Sequence, residues 1–276
     1  MNTLQALIWD VDGTLAETER DGHRVAFNEA FEQFGLAWRW SEQRYGELLR
    51  IAGGQERLLH DLAGQPQAPS DDAARAELAS QLHRLKNAIY AEIVAAGRIA
   101  LRPGVVELMD DCRAAGLPMA IATTTSRGNV AALLTAQIGA CWESRFACVV
   151  CAEDAPLKKP NPQVYTVALQ RLGLPGSAAL AIEDSSPGLG ACVAAGVPVV
   201  LTRSVYFADI PDEGALASGP GLHSCSGWTL RGGAPVVTPG RAGDSRVDFE
   251  LLSRWHAAQS HQPAPLSVPA RPSPPG

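Results

Sequence analysis

The segment formed by residues 4–17, LQALIWDVDGTLAE, constrains the fold more than any other stretch of the chain. A run without charged residues leads directly into Asp10 and Asp12, which are followed by Gly13 and Thr14. This pattern predicts a buried β-strand that ends in a polar loop. Because alternate residues of a strand point to the same side, the two aspartates are expected to face one small volume. A simple polar turn, in which Asp and Gly are common, is the alternative.

Two carboxylates in one site repel each other unless a cation lies between them. Mg2+ is a hard cation that prefers oxygen ligands, and it would also attract a phosphate ester. We therefore predict that Asp10 is a nucleophile that attacks phosphorus. Asp12 is predicted to protonate the leaving alcohol and then to deprotonate water. Gly13 is expected to let the backbone approach phosphate closely, and Thr14 to hydrogen-bond to a carboxylate.

Hydrophobic periodicity divides the rest of the chain into three regions. Residues 17–97 show helical patterns, the longest over about 70–96, and no strand-like alternation. Residues 98–215 alternate between helix and strand patterns, as parallel crossover units do. The predicted fold class is therefore α/β: a doubly wound, Rossmann-like parallel sheet from residues 1–16 and 98–215, with an all-helical cap inserted at 17–97. Residues 216–276 are rich in Gly and Pro and are predicted to be partly disordered, with one possible helix at 247–258.

Ligands of such a sheet bind beyond the carboxyl ends of its strands. Thr123, Thr124 and Thr125 end a predicted strand just before a helix, where their hydroxyls and amides can hold phosphate oxygens. Glu183 and Asp184 follow another apolar run, and Asp184 is expected to complete a metal shell, together with the backbone carbonyl of Asp12. Helix capping is the alternative at both positions.

Lysine is sparse in this chain. Only Lys86, Lys158 and Lys159 are present, and the last two stand together directly before Pro160. A lysine at this position is suited to neutralise the charge of the nucleophile and the phosphate in the transition state. We predict that Lys159 has this role, against the alternative that both are surface lysines.

Composition favours a soluble globular protein. The net charge of -6 and the pI near 5.5 argue against a nucleic-acid or anionic-membrane binder, which would need a basic face. No apolar run approaches membrane-spanning length, and no leader is evident before the first strand. The six cysteines do not form a disulfide-like framework. We expect a cytoplasmic monomer that binds a small substrate and neither nucleic acid nor membrane.

The segments DVDGT, ATTTS, KKPNP and EDSSPG, in this order, resemble the four signature motifs of the haloacid dehalogenase superfamily. The resemblance spans residues 4–202, with a helical cap after the first motif. Within the superfamily, DVDGTLAETERDGHRVAFNEAF and IAGGQERL resemble the CbbY-type phosphatases encoded beside Calvin-cycle genes. This resemblance implies an aspartyl-phosphate at Asp10, Mg2+ held by Asp10, Asp12 and Asp184, and hydrolysis of xylulose 1,5-bisphosphate, which inhibits Rubisco.

The resemblance also implies a substrate-binding role for cap residues. Glu17 and His23 lie where the family meets the sugar hydroxyls, and Gly53, Gly54 and Arg57 match the loop that grips the distal phosphate. Two glycines followed by a guanidinium at a helix start agree with this physically, because they form an anion site. Solvated surface roles for His23 and Arg57 remain alternatives.

The same residues bear on which of the related enzyme activities the chain has. A dehalogenase needs no second aspartate, so Asp12 argues against it. A phosphonatase needs a cap lysine near the substrate, whereas Lys86 is predicted to lie mid-helix and far along the insertion. A β-phosphoglucomutase-like phosphoryl transfer shares the motifs and the cap and stays open, as does a non-catalytic sugar-phosphate sensor. Gln55 stands where such loops often carry lysine, which leaves the strength of distal-phosphate binding open.

Overall fold

The computed structural model describes residues 3–51, 53–236 and 245–259. Its seven-stranded sheet has the order β3-β2-β1-β4-β5-β6-β7. All neighbouring strands pair in parallel except β6 and β7, which are antiparallel. The strands are β1 Ala6–Trp9, β2 Met119–Ala122, β3 Cys148–Val150, β4 Ala179–Glu183, β5 Val199–Thr202, β6 Ala217–Gly219 and β7 Thr229–Leu230.

Both faces of the sheet are covered, as a parallel sheet requires. Strand β1 is buried along its whole length. Leu7 and Trp9 belong to one apolar cluster, and Ala6 and Ile8 belong to a second one. Because neighbouring residues of a strand point to opposite faces, the two clusters are the two layers of a doubly wound fold. The α/β fold predicted from the sequence is confirmed.

The first part of the segment inserted between β1 and β2 is helical. A π-helical turn at Glu19–His23 runs into α1 at Arg24–Gln33, followed by α2 at Glu42–Leu48, α3 at Gly54–Leu62 and α4 at Asp72–Ala95. Ser41 caps α2 by accepting from the Arg44 N–H, and Asp71 caps α4 by accepting from the Ala74 N–H. The two chain segments that join these helices to the sheet pair at an antiparallel bridge between Ala16 and Leu101.

Of the remaining α-helices, four alternate with strands β2 to β5, and the last follows β7. They are α5 Val105–Ala114, α6 Arg127–Ile138, α7 Gln163–Leu172, α8 Ser186–Ala194 and α9 Phe249–Gln259. In the described part of the chain, no helix is both long enough and apolar enough to span a membrane.

The sheet continues past residue 215, where the sequence analysis ended the α/β region. Strands β6 and β7 are three and two residues long, too short for a period of two to be visible in the sequence. Helix α9 lies within two residues of the helix predicted at 247–258, and Trp255 on it contacts Trp228 with ring centroids 5.2 Å apart. The predicted disorder at the Pro-rich end falls on residues 260–276, which lie outside the described residues.

Candidate active site

Three parallel strands bring the predicted catalytic side chains to one edge of the sheet. Asp10 follows β1, and its N–H donates to the Ile182 carbonyl of β4 at 3.1 Å. Lys159, in the loop between β3 and α7, donates from Nζ to Asp10 Oδ1 at 2.5 Å and to Glu183 Oε1 at 2.6 Å. Its side chain is only 7% exposed. Burial opposes the charged form, but the two carboxylates raise the pKa of Lys159, so the amine stays a cation.

Glu183 is the second carboxylate that accepts a hydrogen bond from Lys159. It is fully buried and accepts a hydrogen bond from the Tyr165 hydroxyl at 2.5 Å besides the one from Lys159. Its second oxygen accepts from the Asp184 N–H at 3.2 Å. Glycine is required at position 188, because a Cβ there would overlap the Glu183 carboxylate. Glu183 therefore orients Lys159, and each of its two oxygens already accepts a hydrogen bond.

The residues present fit a divalent cation. Carboxylate oxygens of Asp10, Glu183 and Asp184 lie within 4.8 Å of one another. Asp184 is 1% exposed, and its Oδ2 has no hydrogen-bond partner among the described residues. Burial and the neighbouring Asp10 raise the pKa of Asp184, and burial and Glu183 raise the pKa of Asp10. A hard cation such as Mg2+ would satisfy the unpaired oxygen and relieve this repulsion.

Asp12 lies apart from this carboxylate group. The sequence analysis assigned the Asp12 backbone carbonyl to the metal shell, which stays a prediction; the carboxylate that lies beside Asp10 and Asp184 is that of Glu183. The Thr18 hydroxyl donates to Asp12 Oδ1 at 2.6 Å and holds the side chain toward the cap. Burial raises the pKa of Asp12 to about 6, which suits a group that exchanges protons near neutral pH.

The structure shows what surrounds the glycine of the first loop, and it differs from the sequence prediction at the threonine. Gly13 has a φ of +86°, and a Cβ there would overlap the carboxylate of Asp184, so this glycine makes room for a side chain. Thr14 Oγ1 is buried and has no hydrogen-bond partner within the described ranges. The bond to a carboxylate expected of Thr14 is made by Thr18.

The three threonines after β2 divide between support and the cleft. Thr124 lines the cleft described below. Thr123 is buried, and its hydroxyl accepts from the Thr125 N–H at 3.2 Å. Thr125 Oγ1 accepts from the Asn129 side chain at 3.3 Å. These contacts fix the strand-to-helix turn that presents Thr124.

A cleft of about 250 Å3 lies between the carboxyl ends of the strands and the inserted helices. Asp10, Asp12 and Lys159 line it from the sheet side. Gly53 and Arg57 line it from the helical side, Gly53 with a φ of +105° as the residue before α3. Gly54 packs near Phe27 and His83, where a Cβ would come within about 3.1 Å. The structure thus brings the predicted nucleophile, acid/base and distal-phosphate arginine into one cleft.

Arg57 is held by neighbours that sequence reasoning did not identify. Its Nε donates to the Ile51 carbonyl at 2.9 Å, and its Nη1 donates to the Tyr45 hydroxyl at 3.3 Å. Glu19, which also lines the cleft, accepts from Tyr45 at 2.5 Å and lies 3.8 Å from Arg57. The guanidinium is only partly neutralised by this long ion pair, so it can still attract an anion.

Lys86 lies in the middle of α4, as the sequence predicts, but it contacts His23, a predicted substrate-binding residue at the start of the insertion. Its Nζ is 2.8 Å from His23 Nδ1 and 4.9 Å from the ring centre of Phe27. The His23 ring stacks on Tyr90 with centroids 3.9 Å apart. Burial lowers the pKa of Lys86 to about 8, and burial and Lys86 lower the pKa of His23. Lys86 is therefore the donor, and His23 is a neutral ring.

Glu17 has protein partners on the core. Its carboxylate accepts from the Val205 N–H at 3.3 Å and lies 3.6 Å from Arg102 Nε. Contact with sugar hydroxyls, as the sequence resemblance implies, stays a prediction.

The comparisons with known proteins define the class. A sequence model of the haloacid dehalogenase-like hydrolases matches residues 4–196. The chain belongs to this family and is an enzyme, and the resemblance seen in its four motifs is confirmed. The enzyme class is phosphoric monoester hydrolase, and the site described above places an aspartate beside a lysine and further carboxylates.

Several relatives narrow the class further. Protein CbbY, encoded on a plasmid of Cupriavidus necator, is 44% identical over 253 residues, 92% of this chain and 97% of that protein. The crystal structure of CbbY from Rhodobacter sphaeroides in complex with phosphate is 38% identical, with a TM-score of 0.67 over 77% of this chain and 92% of that one. A mutant of that CbbY was crystallised with xylulose 1,5-bisphosphate; it is 37% identical, with a TM-score of 0.66 and the same coverage.

Proposed function

We propose that the chain is a Mg2+-dependent sugar-bisphosphate phosphatase whose substrate is xylulose 1,5-bisphosphate, and that its activity protects Rubisco from this inhibitor. The observation that carries the proposal is the single cleft lined by Asp10, Asp12, Lys159 and Arg57. A bisphosphate needs two anion sites, and this cleft has a cationic side chain on each wall. The complex of the Rhodobacter sphaeroides CbbY with xylulose 1,5-bisphosphate supports the choice of substrate.

In the proposed reaction, one phosphate lies at Asp10 and the other at Arg57. Asp10 attacks phosphorus and forms an aspartyl-phosphate, while Asp12 gives its proton to the leaving sugar oxygen. Asp12 then takes a proton from the water that hydrolyses the intermediate. Lys159 neutralises charge on Asp10 and the phosphoryl oxygens, and Thr124 donates to those oxygens.

Mg2+ would be held by Asp10 and Asp184, with the Asp12 carbonyl as a further ligand, and would supply charge neutralisation at the phosphoryl group. Glu17 and His23 contact the sugar hydroxyls, and Gly53 and Gly54 belong to the loop that binds the distal phosphate. The acidic chain, with a net charge of -6, acts as a cytoplasmic monomer on a small substrate and binds neither nucleic acid nor membrane.

Phosphate release tests this function. Xylulose 1,5-bisphosphate, ribulose 1,5-bisphosphate and β-glucose 1-phosphate are each incubated with the protein, with Mg2+ and with chelator. Mg2+-dependent release from the xylulose compound, with the ribulose compound largely spared, is the expected result. Conversion of glucose 1-phosphate to its 6-phosphate without release would instead identify a mutase, and no turnover of any compound would favour a sensor.

A further inference from the structure

Arg102 stands where the chain returns from the inserted helices to the sheet. Its backbone N–H donates to the Leu15 carbonyl at 2.7 Å. The preceding residue, Leu101, forms the antiparallel bridge to Ala16. Arg102 therefore lies beside the loop that carries Asp10 and Asp12, at the junction of cap and core.

The guanidinium of Arg102 fastens several backbone segments together. The side chain is 11% exposed, and both terminal nitrogens donate to carbonyl groups. These carbonyls belong to the nucleophile loop, to the end of β5 and to the turn after β6. Nη1 donates to the Gly13 carbonyl, to Thr202 O (3.1 Å) and to Thr202 Oγ1 (3.3 Å). Nη2 donates to Arg203 O (2.7 Å) and to Pro220 O (3.2 Å).

Gly13, whose carbonyl accepts a hydrogen bond from Arg102, also contacts Asp184, the proposed metal ligand. A Cβ on Gly13 would overlap the Asp184 carboxylate, so Asp184 lies directly against the Gly13 Cα. The Gly13 residue thus lies between the Arg102 guanidinium and Asp184. Any shift of this loop changes where Asp184 is placed relative to Asp10.

We propose that Arg102 is a positioning residue of the active site: it fixes Gly13 at the junction of cap and core and thereby fixes Asp184 beside Asp10. The proposal rests on the proposed function only for its kinetic readout. Residues that orient metal ligands from behind typically change metal affinity or activity about 10- to 100-fold when replaced. A planar fork with several donors is required, so lysine cannot replace arginine here.

The test is Arg102→Lys, which keeps the charge and removes the fork. The matched control is Arg98→Lys in the same linker, where the arginine side chain is 51% exposed and forms a long ion pair to Glu29 at 3.6 Å. Mn2+ affinity is measured by electron paramagnetic resonance without substrate. The values of kcat and KM for xylulose 1,5-bisphosphate are measured at a temperature well below the melting point of each variant.

We expect Arg102→Lys to weaken Mn2+ binding about 10-fold and to lower kcat about 10-fold, with KM nearly unchanged. Arg98→Lys should match the wild type. Because the charge is conserved, a change in Mn2+ affinity reports a displaced ligand. If Arg102→Lys does not fold, Arg102→Gln and Arg98→Gln are compared in the same way.

The proposal is overturned if Mn2+ affinity and kcat equal those of the control, even when the melting temperature falls, since that would be a purely structural role. A change confined to KM also overturns it. If the wild type releases no phosphate from the bisphosphate, the proposed function fails, but the comparison of Mn2+ affinities still decides the role of Arg102.

Discussion

The two walls of the cleft are built differently. On the sheet side, Asp10, Lys159 and Glu183 are almost fully buried and joined by bonds of 2.5 and 2.6 Å. On the helical side, Arg57 and Glu19 are 13% and 22% exposed and lie 3.8 Å apart. The first wall is a tight network whose charges are fixed by one another, whereas the second wall is a looser pair.

The walls also differ in their charges. The sheet side has three carboxylates, Asp10, Glu183 and Asp184, close to Lys159. On the helical side, Arg57 lines the cleft beside Glu19, the Glu56 carboxylate lies against Gly53, and Lys86 is packed behind them. The carboxylates of the sheet side favour a cation, and Arg57 can attract an anion. This difference supports the proposal that one cleft holds both Mg2+ and a second phosphate.

Removing the nucleophile should have the largest effect. Asp10→Asn is expected to lower kcat on the order of 10^4-fold or more, because loss of a nucleophile disables covalent catalysis. Phosphate release from the bisphosphate measures it, with Asp72→Asn, at a side chain 94% exposed, as the control. Appreciable residual hydrolysis in a folded variant would remove Asp10 from this role.

Neutralising the unpaired carboxylate should separate stability from activity. Without metal, Asp184→Asn is expected to raise the free energy of unfolding most at high pH, because burial and Asp10 raise the pKa of Asp184 and the fold disfavours its charged form. Mg2+ at a hundredfold excess over its Kd should stabilise the wild type by about 2.7 kcal/mol and this variant very little. Thermal melts with Mg2+ and with chelator measure both effects, and an equal Mg2+ shift in the two proteins would contradict the metal site.

The distal arginine should affect bisphosphates selectively. Arg57→Ala is expected to raise KM for xylulose 1,5-bisphosphate about 10- to 100-fold, the value of one or two charged hydrogen bonds. Small monophosphates should be affected far less. Arg84→Ala, at an arginine 66% exposed, is the control, and an equal loss on both substrate classes would refute a distal-phosphate role.

The smallest expected effect is a pH dependence from the helical wall. Burial lowers the pKa of Lys86 to about 8, so its positive charge is present below that pH and lost above it. KM for the bisphosphate should therefore rise several-fold as the pH passes through about 8. In Lys86→Met this rise should be absent and KM should be high throughout, whereas an identical pH profile in both proteins would show that Lys86 does not act on the substrate.

The sequence predicts the sheet wall better than the helical wall, for a physical reason. Asp10, Thr123 and Asp184 each follow an apolar strand directly, and parallel strands bring their carboxyl ends to one edge. The proximity of Lys86 to His23 instead depends on how α4 packs on α1, which local periodicity does not specify. The roles of Glu19 and Tyr45 were missed for the same reason, because their contacts with Arg57 join separate helices.

Strands β6 and β7 and the loop after β1 show a second limit of prediction from the sequence. Strands β6 and β7 carry too few residues for a pattern, and the alternation rule alone could not show that Thr18 holds Asp12 toward the cap. The haloacid dehalogenase fold was recognisable from four short motifs, and the sequence placed Glu183 at the same sheet edge, but its hydrogen bond with Lys159 required the side-chain contacts.

The most direct test of the two-wall account is the ratio of kcat/KM for xylulose 1,5-bisphosphate to that for xylulose 5-phosphate, measured on the wild type with Mg2+ and with chelator. We predict a ratio of about 10 or more with Mg2+, and no turnover of either compound with chelator, because the helical wall binds the second phosphate and the sheet wall requires the cation. A ratio near one, or activity that persists in chelator, would contradict the account.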